Sequence, residues 1–340
     1  MPRDPIALAR QLIDIPSVTG EEGPHGAFLQ RVLTSLGFTI EEQEIEAGRK
    51  NLFATAGGVP RVILCSHLDT VPPFFPSSET PREIHGRGAC DTKGIIAAMV
   101  DAGEQLIGDG AKDFAFLFVV GEETDSIGAK RANDHFAGRG SEIVIVGEPT
   151  DSRYVRATKG ALTARIEFPG VPAHSAYPER GDSAIRKLAR AIEAIYEADW
   201  GSDDDLGQGI PNVGVVRGGE KANVIAAHAE ADCIFRLIGP VAAAHAQLET
   251  LTAAHGGSIA RWYGNDPVRM MVPAGEDSIV AGFNTDAPHL FSLGRPILFG
   301  PGSILDAHGE SEKIGKSEII AASETYRKLV LGLLEGTIRL

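Results

Sequence analysis

The first part of the chain alternates between apolar residues at helical spacing and short β-rich runs. Two stretches with one apolar helical face come first: Ile6, Leu8, Ala9, Leu12 and Ile13, then Phe28, Leu29, Val32, Leu33 and Leu36. Gly37 lies where the second helix would end. Strand-like runs follow at FTIEEQEI, NLFATA, RVILCSH, FAFLFVVG and EIVIVGE, with helices predicted at KGIIAAMVDAGEQLI and near IGAKRANDHF. This alternation predicts an α/β layered fold around a largely parallel or mixed sheet.

A different pattern begins near Ala157 and predicts an inserted domain. In chain order it contains the strand GALTARIEF, the helix DSAIRKLARAIEAIYEA, the strands NVGVVRGG and AHAEADCIFRLI, the helix PVAAAHAQLETLTAAHGG and the strand IARWY. This β-α-β-β-α-β order is typical of a ferredoxin-like unit. After about Gly264 the chain returns to loops, the run RPILFGPGS and the helix SEIIAASETYRKLVLGLLEG. We therefore expect one domain formed by residues 1–156 and 264–340, and a second formed by residues 157–263.

Composition narrows the class of protein. The 340 residues, 43% of them hydrophobic and 23% charged, are enough for one large or two ordinary globular domains. No apolar stretch predicts a membrane span, and charges spread through the N-terminal segment argue against a signal peptide, so we expect a cytoplasmic protein. The formal net charge of −14 disfavours nucleic acids and anionic membranes as partners, but it is compatible with cations. The widely spaced thiols predict neither disulfides nor a zinc knuckle: Cys65, Cys90 and Cys233.

Ionisable residues follow the predicted strands of the first domain. In open α/β sheets, functional groups gather at the carboxyl ends of the strands. The residues at or near these ends, or in a late glycine-rich loop, are His67, Asp69, Asp91, Glu122, Glu123, Glu148 and His308. Two histidines with three or four carboxylates are a ligand set for two zinc-like ions, one carboxylate bridging ions about 3.5–4 Å apart. In the HxD spacing, Asp69 can accept the second N–H of His67 and fix its tautomer.

Each of these residues also has a simpler interpretation. His67 alone would be a structural histidine, Asp91 a helix N-cap, and Glu148 a turn residue before Pro149. A thiol enzyme with Cys90 as nucleophile and His67 as base is a competing chemistry, but the surrounding carboxylates would raise the pKa of the thiol. Because the simpler interpretations require every group to fall at a strand end by chance, the joint pattern favours a metal site.

Five motifs allow a family resemblance to be stated. They are SHLDTVP, GRGACDTKG, GEETDSIGA, GEPT and GPGSILDAHGESEKI, in this order and around the inserted unit. Together they resemble the M20 family of metallopeptidases and amidohydrolases, the group of acetylornithine deacetylase, succinyl-diaminopimelate desuccinylase and carboxypeptidase G2. The resemblance covers nearly the whole chain. It implies a zinc-exopeptidase-like three-layer α/β/α catalytic domain, with an inserted ferredoxin-like α+β domain that serves as lid and dimerisation domain.

The resemblance also implies roles for residues in the first domain. It implies two divalent metal ions, zinc first, with cobalt or manganese as alternatives. One ion would be bound by His67 and Glu148, the other by Glu123 and His308, and both by Asp91 as a bridge. Glu122 would be the general base, and Asp69 the partner that orients His67.

In the inserted domain, the resemblance points to GVPAHSAYPERG and GGEKANVIAAHAEADCIFRL. His174 would reach a dimer-related active site and stabilise the oxyanion, which implies a homodimer through this domain. Asn223, Arg236 and, in the GPGS loop, Ser303 would lie near the substrate carboxylate. Ala226 departs from the proline that many relatives have in NVIP. Without the resemblance, His174 could equally well be a surface loop histidine, Asn223 a turn residue, and Arg236 one half of a cross-strand ion pair.

The expected reaction is hydrolysis of an amide bond. The runs NTDAPHL and GPGSILDAH resemble those of acetylornithine deacetylase and related deacylases, and this resemblance implies deacylation of a small N-acyl amino acid, of the deacetylase or desuccinylase type. A carboxypeptidase or dipeptidase that acts on short peptides is the enzymatic alternative. From another class, a non-catalytic metal-dependent binding protein is the remaining hypothesis, and the complete ligand set with Glu122 speaks against it.

Overall fold

The computed structural model describes residues 4–340, which form two compact units. The first comprises the described residues up to Arg156 together with Met270–Ile279 and Thr285–Leu340. The second, the inserted unit, comprises Ala157–Arg269 and Val280–Asn284. Within the described part of the chain, no helix is both long and apolar enough to cross a membrane.

Helices and strands follow one another along the whole described chain. The helices are α1 (Pro5–Ile13), α2 (Gly23–Ser35), α3 (Gly94–Gly108), α4 (Ile127–His135), α5 (Ala184–Glu197), α6 (Val241–Ala254) and α7 (Lys316–Glu335). The strands are β1 (Thr39–Glu46), β2 (Arg49–Thr55), β3 (Val62–His67), β4 (Ser78–Glu79), β5 (Glu83–His85), β6 (Phe114–Val119), β7 (Ile143–Val146), β8 (Tyr154–Thr158), β9 (Gly160–Pro169), β10 (Ser202–Asp203), β11 (Gly207–Gln208), β12 (Ile210–Gly218), β13 (His228–Leu237), β14 (Ser258–Asn265), β15 (Val268–Arg269), β16 (Ser278–Ala281), β17 (Arg295–Leu298) and β18 (Lys313–Gly315).

A mixed sheet forms the centre of the first unit. Its strand order is β1-β2-β6-β3-β7-β17-β8. β3 runs parallel to β6 and β7, and β17 runs parallel to β7, whereas β1, β2 and β8 are antiparallel to their neighbours. His67 is in register with Val119, and Cys65 with Val146. The carboxyl ends of three central strands therefore meet at one edge of the sheet.

Helices cover both faces of this sheet. α1, α3 and α7 pack against one another and share a core with alternate residues of β6, including Phe114, Phe116 and Phe118. On the opposite face, Phe53 of β2 stacks on Phe136 at the end of α4, with ring centroids 4.5 Å apart. Because successive side chains of a strand point to opposite faces of the sheet, one strand can contribute apolar residues to the packing on both faces. The expected three-layer α/β/α arrangement is confirmed.

The inserted unit has the predicted ferredoxin-like order. Its antiparallel sheet, β12-β13-β9-β14, is combined with α5 and α6, whose buried residues form a separate core with one face of the sheet. The other face carries charged pairs such as Arg165 with Asp232, whose side-chain contacts measure 2.7 and 2.9 Å. Gly264 and Asn265 continue β14 opposite Leu162 and Ala161, so this compact unit extends beyond residue 263.

A small sheet, absent from the sequence expectations, joins distant parts of the first unit. β5 pairs with β4 on one side and with β18 on the other, and Lys313 lies opposite His85. This pairing brings the chain that leads to Asp91 beside the chain that follows His308. The loop that carries Asp91 and the loop that carries His308 are thereby fixed at the same edge of the central sheet.

Candidate active site

His67, the last residue of β3, is fully buried. Its Nδ1 lies 3.0 Å from the backbone carbonyl oxygen of Asp69, and its Nε2 lies 2.9 Å from Oδ1 of Asp91. Because a carbonyl only accepts hydrogen bonds, the neutral ring carries its proton on Nδ1 and presents the lone pair of Nε2. The Asp69 carboxylate is 3.6 Å from Nδ1, too far for a good hydrogen bond. Asp69 therefore orients His67 mainly through its main chain, whereas the sequence favoured the carboxylate.

The Asp69 carboxylate instead holds the loop that follows β6. It accepts the backbone N–H groups of Gly121, Glu122 and Glu123 at 3.0, 3.1 and 3.2 Å, and the hydroxyl of Thr19 at 2.8 Å. Gly121 has φ +80°, a left-handed conformation that strongly favours glycine. The strand end thus turns sharply around one buried carboxylate, which fixes the backbone of both glutamates.

Asp91 is buried in the short turn Ala89–Lys93, where its own backbone and that of Thr92 are not helical. Its Oδ1 faces Nε2 of His67 at 2.9 Å, and its Oδ2 faces Nε2 of His308 at 3.2 Å. The hydroxyl of Thr92 donates to the His67 carbonyl at 3.0 Å, which ties this turn to the end of β3. One carboxylate therefore stands between two imidazoles.

His308 forms the solvent-facing side of the site and contacts the largely buried side chain of Glu123. Nε2 of His308 lies 3.0 Å from Oε2 of Glu123, and the His308 side chain is 50% exposed. The preceding glycine-rich loop comes close to the Asp91 turn: Gly302 has φ +80°, and a Cβ there would lie 2.7 Å from Cβ of Cys90. Only glycine allows that approach.

Glu148 follows β7, is buried, and forms no ion pair with any of residues 4–340. Burial, together with the negative charges of Asp91 and Asp286, raises the pKa of Glu148 well above its usual range. Burial also raises the pKa of Glu122, with the charge of Glu148 adding to the effect. The carboxylates of Glu122 and Glu148 are therefore costly to ionise unless positive charge is supplied.

These side chains fit two divalent cations. Two donor sets have all their ligand atoms within 4.8 Å of one another: His67, Asp91 and Glu148, and Asp91, Glu123 and His308. They share Asp91. Imidazole nitrogens and carboxylate oxygens are ligands of zinc, and also of cobalt and manganese. Bound cations would offset the charge that raises the pKa of Glu148.

Three predicted residues lie in the inserted unit. The backbone N–H of Ala176 donates to Nδ1 of His174 at 3.1 Å, so the neutral ring carries its proton on the exposed Nε2. Ser175 donates to the carbonyl of Asn223 at 3.1 Å, which places His174 and Asn223 on neighbouring segments. Arg236, half-buried on β13, has no ion-pair partner among residues 4–340, so the cross-strand ion pair is not found.

Ser303 and Cys90 lie in the loops of the first unit. Ser303 forms an isolated bridge with Thr150, two residues after Glu148. The Cys90 thiol is buried, and burial together with the charges of Glu312 and Asp91 raises its pKa well above the usual range. A thiol that resists ionisation is a poor nucleophile, which argues against the thiol-enzyme alternative.

The sequence analysis missed four residues near these groups. Thr19, Arg87, Asp286 and Glu312 are charged or polar, and all but Thr19 are buried. Oδ1 of Asp286 has no hydrogen-bond partner among the described residues, and burial raises the pKa of this carboxyl to about 7. A usable signal existed for three of them: Arg87 and Glu312 stand inside the motifs GRGACDTKG and GPGSILDAHGESEKI, and Asp286 stands inside the run NTDAPHL.

Metal binding is expected to release protons and to strengthen as pH rises. Hydrogen bonds to Asp91 and Glu123 raise the pKa of His308 to about 10. A ligand must lose its proton to bind a metal, so binding is opposed below that pKa. We expect the affinity for Zn²⁺ to increase between about pH 6 and pH 9. Calorimetry in buffers of different ionisation enthalpy measures the released protons, and binding without proton release would contradict this assignment.

Comparisons with known proteins give the family. Residues 156–257 match the model of a peptidase dimerisation domain of the M20 type. The chain is 34% identical over 337 residues to a peptidase M20 domain-containing protein of Schizosaccharomyces pombe, covering 96% of this chain and 84% of that protein. It is also 34% identical over 383 residues to a probable carboxypeptidase of Aspergillus clavatus, covering 98% and 83% of the two chains.

Solved structures share the fold. A tripeptidase of Staphylococcus aureus superposes with a TM-score of 0.80 at 20% identity, covering 95% of this chain and 96% of that one. A dinuclear metal binding peptidase of the M20 family from Bacillus subtilis superposes with a TM-score of 0.69 at 15% identity, covering 97% and 98%. Because its relatives match over most of their length and its site is suited to metal ions, the chain belongs to the M20 family of metallopeptidases, which hydrolyse peptide and amide bonds.

Proposed function

We propose that this protein is a two-metal exopeptidase of the carboxypeptidase type, which hydrolyses the last peptide bond of short peptides. One observation carries the proposal. Two donor sets share Asp91, and the carboxylate of Glu122 belongs to neither of them although its neighbour Glu123 does. A site with two cation positions and one half-buried carboxylate outside both donor sets has the parts needed for water activation.

In this proposal His67 and Glu148 would bind one ion, and Glu123 and His308 would bind the other. Asp91 would be a ligand of both ions. When bound, zinc-like ions lower the pKa of water and polarise the scissile carbonyl. The Glu122 carboxylate accepts a proton from the attacking water and passes it to the nitrogen of the leaving amine. Burial favours the protonated form of Glu122, which suits a group that must hold a proton between two steps.

Residues of the inserted unit complete the proposal. His174 presents an exposed Nε2–H, a donor suited to the oxyanion of the tetrahedral intermediate. Arg236, which has no carboxylate partner among the described residues, is suited to a substrate carboxylate, with Asn223 and Ser303 as further polar contacts. We assign catalysis to residues 1–156 and 264–340, and lid and dimerisation roles to the inserted residues. His174 would then act on the site of a partner subunit in a homodimer.

The choice of substrate rests on the relatives. A probable carboxypeptidase and a tripeptidase are peptidases by name, so the comparisons support the peptidase alternative rather than the deacylase that the sequence favoured. The positively charged Arg236 fits a free terminal carboxylate in either case. An N-acyl amino acid also has a free carboxylate that Arg236 could bind. Deacylase activity is therefore the alternative that the experiment must distinguish from peptidase activity.

A matched substrate panel separates these activities. After chelation and reloading with Zn²⁺, Co²⁺ or Mn²⁺, we expect release of the C-terminal amino acid from short peptides. The same peptides with a C-terminal amide should react at least about tenfold more slowly, because the ion pair with the carboxylate is lost. Faster turnover of N-acetyl or N-succinyl amino acids would identify a deacylase. Amino-terminal release would identify an aminopeptidase, and the absence of metal-dependent turnover a binding protein.

A further inference from the structure

A buried ion pair, Arg87 with Glu312, lies behind the candidate metal ligands. Nη1 of Arg87 is 2.6 Å from Oε2 of Glu312, and the two side chains are only 2% and 1% exposed. The guanidinium also donates from Nε to the carbonyl of Pro73 at 3.2 Å and stacks on the ring of Phe75, 4.8 Å from its centroid. Charged groups this deep in a protein are retained only where they have several partners.

Glu312 holds the backbone of the turn that carries Asp91. Its Oε1 accepts the N–H groups of Cys90 and Asp91, each at 3.3 Å. Its main-chain carbonyl accepts the N–H of Gly86 at 3.1 Å, which extends the pairing between β5 and β18. The position of Asp91 therefore depends on a residue more than two hundred positions later in the chain.

Arg87 reaches the loop that carries His308. Its Nη2 lies 3.5 Å from the main-chain carbonyl oxygen of His308. His308 has φ +63°, a left-handed conformation that is unfavourable for a residue other than glycine and persists only where its surroundings impose it. The ion pair thus contacts the main chain at both Asp91 and His308, whose side chains face each other at 3.2 Å.

We infer that Arg87 and Glu312 are positioning residues that set the placement of Asp91 against His308, and with it the binding of the ion held by Asp91, Glu123 and His308. The inference rests on the metal site proposed above. Stability alone does not account for the pair, because a buried ion pair is often no more stabilising than apolar residues of similar size. What this pair supplies, and apolar side chains do not, is directed hydrogen bonds to both loops.

The test removes both charges together, with the double variant R87M/E312Q. The glutamine introduced at position 312 keeps an oxygen that can accept the N–H groups of Cys90 and Asp91, and the methionine introduced at position 87 fills most of the arginine volume. We expect the second ion to bind at least about tenfold more weakly, and the ion at His67 and Glu148, which Asp91 also contacts, to lose less affinity. Titration with Co²⁺ alone, followed by the visible absorption of each site and by calorimetry, measures both steps.

A matched pair and a conservative variant act as controls. Arg327 and Asp109 form an ion pair of the same 2.6 Å length between similarly distant segments of the first unit, and neither touches a candidate ligand. R327M/D109N should therefore leave both Co²⁺ affinities and spectra unchanged. R87K keeps the positive charge but not the forked donors of the guanidinium, so its affinity for the second ion should be intermediate. This variant can still test the inference if the double variant does not fold.

Two outcomes would overturn the inference, and they are distinguishable. If wild-type protein binds two Co²⁺ ions and both R87M/E312Q and R87K bind them with the same affinities and spectra, the positioning role is wrong while the metal site stands. If wild-type protein itself binds no Co²⁺ ion, the proposed metal site fails, and the inference fails with it. Thermal unfolding of each variant shows whether a lost second ion accompanies general destabilisation.

Discussion

Glu122→Gln is expected to lower kcat by about a thousandfold while both metal ions remain bound, because a positioned acid–base group contributes roughly 10²–10⁴. Glutamine keeps the shape of the side chain and leaves the backbone N–H of residue 122 on Asp69. It removes only the ability to accept and return a proton. Steady-state kinetics on the best peptide of the panel, with metal content measured on the same sample, tests this result.

Substitution of the neighbouring Glu123 should lower activity in a different way, through loss of a metal ion. Glu123→Gln replaces a group 3.0 Å from Nε2 of His308, so we expect loss of one metal ion, and activity that excess metal partly restores. Asp125→Asn is the matched control, because an asparagine oxygen can still accept the N–H of Ile127 and the residue belongs to neither donor set. Near-normal turnover by Glu122→Gln, or metal loss in it, would end the general-base assignment.

Much of the fold is readable from local patterns in the sequence. The helices and main strands follow hydrophobic periodicity closely: the run FAFLFVVG contains β6, and KGIIAAMVDAGEQLI contains nearly all of α3. The ferredoxin-like insertion was also predictable, because its order of elements is complete within one stretch of chain. Helices and strands of this kind bury one face or one stripe, and that leaves a periodic signature.

The small sheet of β4, β5 and β18 left no such signature. Its strands are two or three residues long, and β5 pairs with β18 across more than two hundred residues. Short pairings are specified by the packing of the whole unit rather than by local composition. The end of β14 was similarly hidden, because the strand continues through Gly264 and Asn265, where a glycine indicated a loop.

For the site, the sequence indicated which residues stand at strand ends but not which atoms meet. The register of β3 with β6 and β7 explains why His67, Glu122 and Glu148 converge. Contacts made through the backbone could not be predicted, because hydrogen bonds from main-chain N–H groups leave no residue-type pattern. Arg87 and Glu312 stand inside motifs, but their contacts with the two loops belong to this class, and so does the principal contact of the Asp69 carboxylate.

Asp69→Asn should therefore lower kcat about a hundredfold without displacing the ion held by His67 and Glu148. The substitution leaves the main-chain carbonyl of residue 69 in place, so the Nδ1–H of His67 keeps its acceptor at 3.0 Å. Any effect then reports on the carboxylate and the loop it holds. Metal content and the Co²⁺ spectrum of the first ion should match those of the wild-type protein.

The loss would arise in the loop of the two glutamates. Three consecutive N–H groups, those of Gly121, Glu122 and Glu123, point at the Asp69 carboxylate, and an asparagine amide offers one oxygen and one nitrogen that repels them. Buried donors left unsatisfied cost about 1–3 kcal/mol each, so the unfolding free energy should fall by about 2–4 kcal/mol. Thr19→Val, which removes only one neutral hydrogen bond to the same carboxylate, should cost about 1 kcal/mol and little activity. Denaturant unfolding with kcat and KM on all three proteins decides the matter, since a fully active Asp69→Asn would show that the loop holds its glutamates without this anchor.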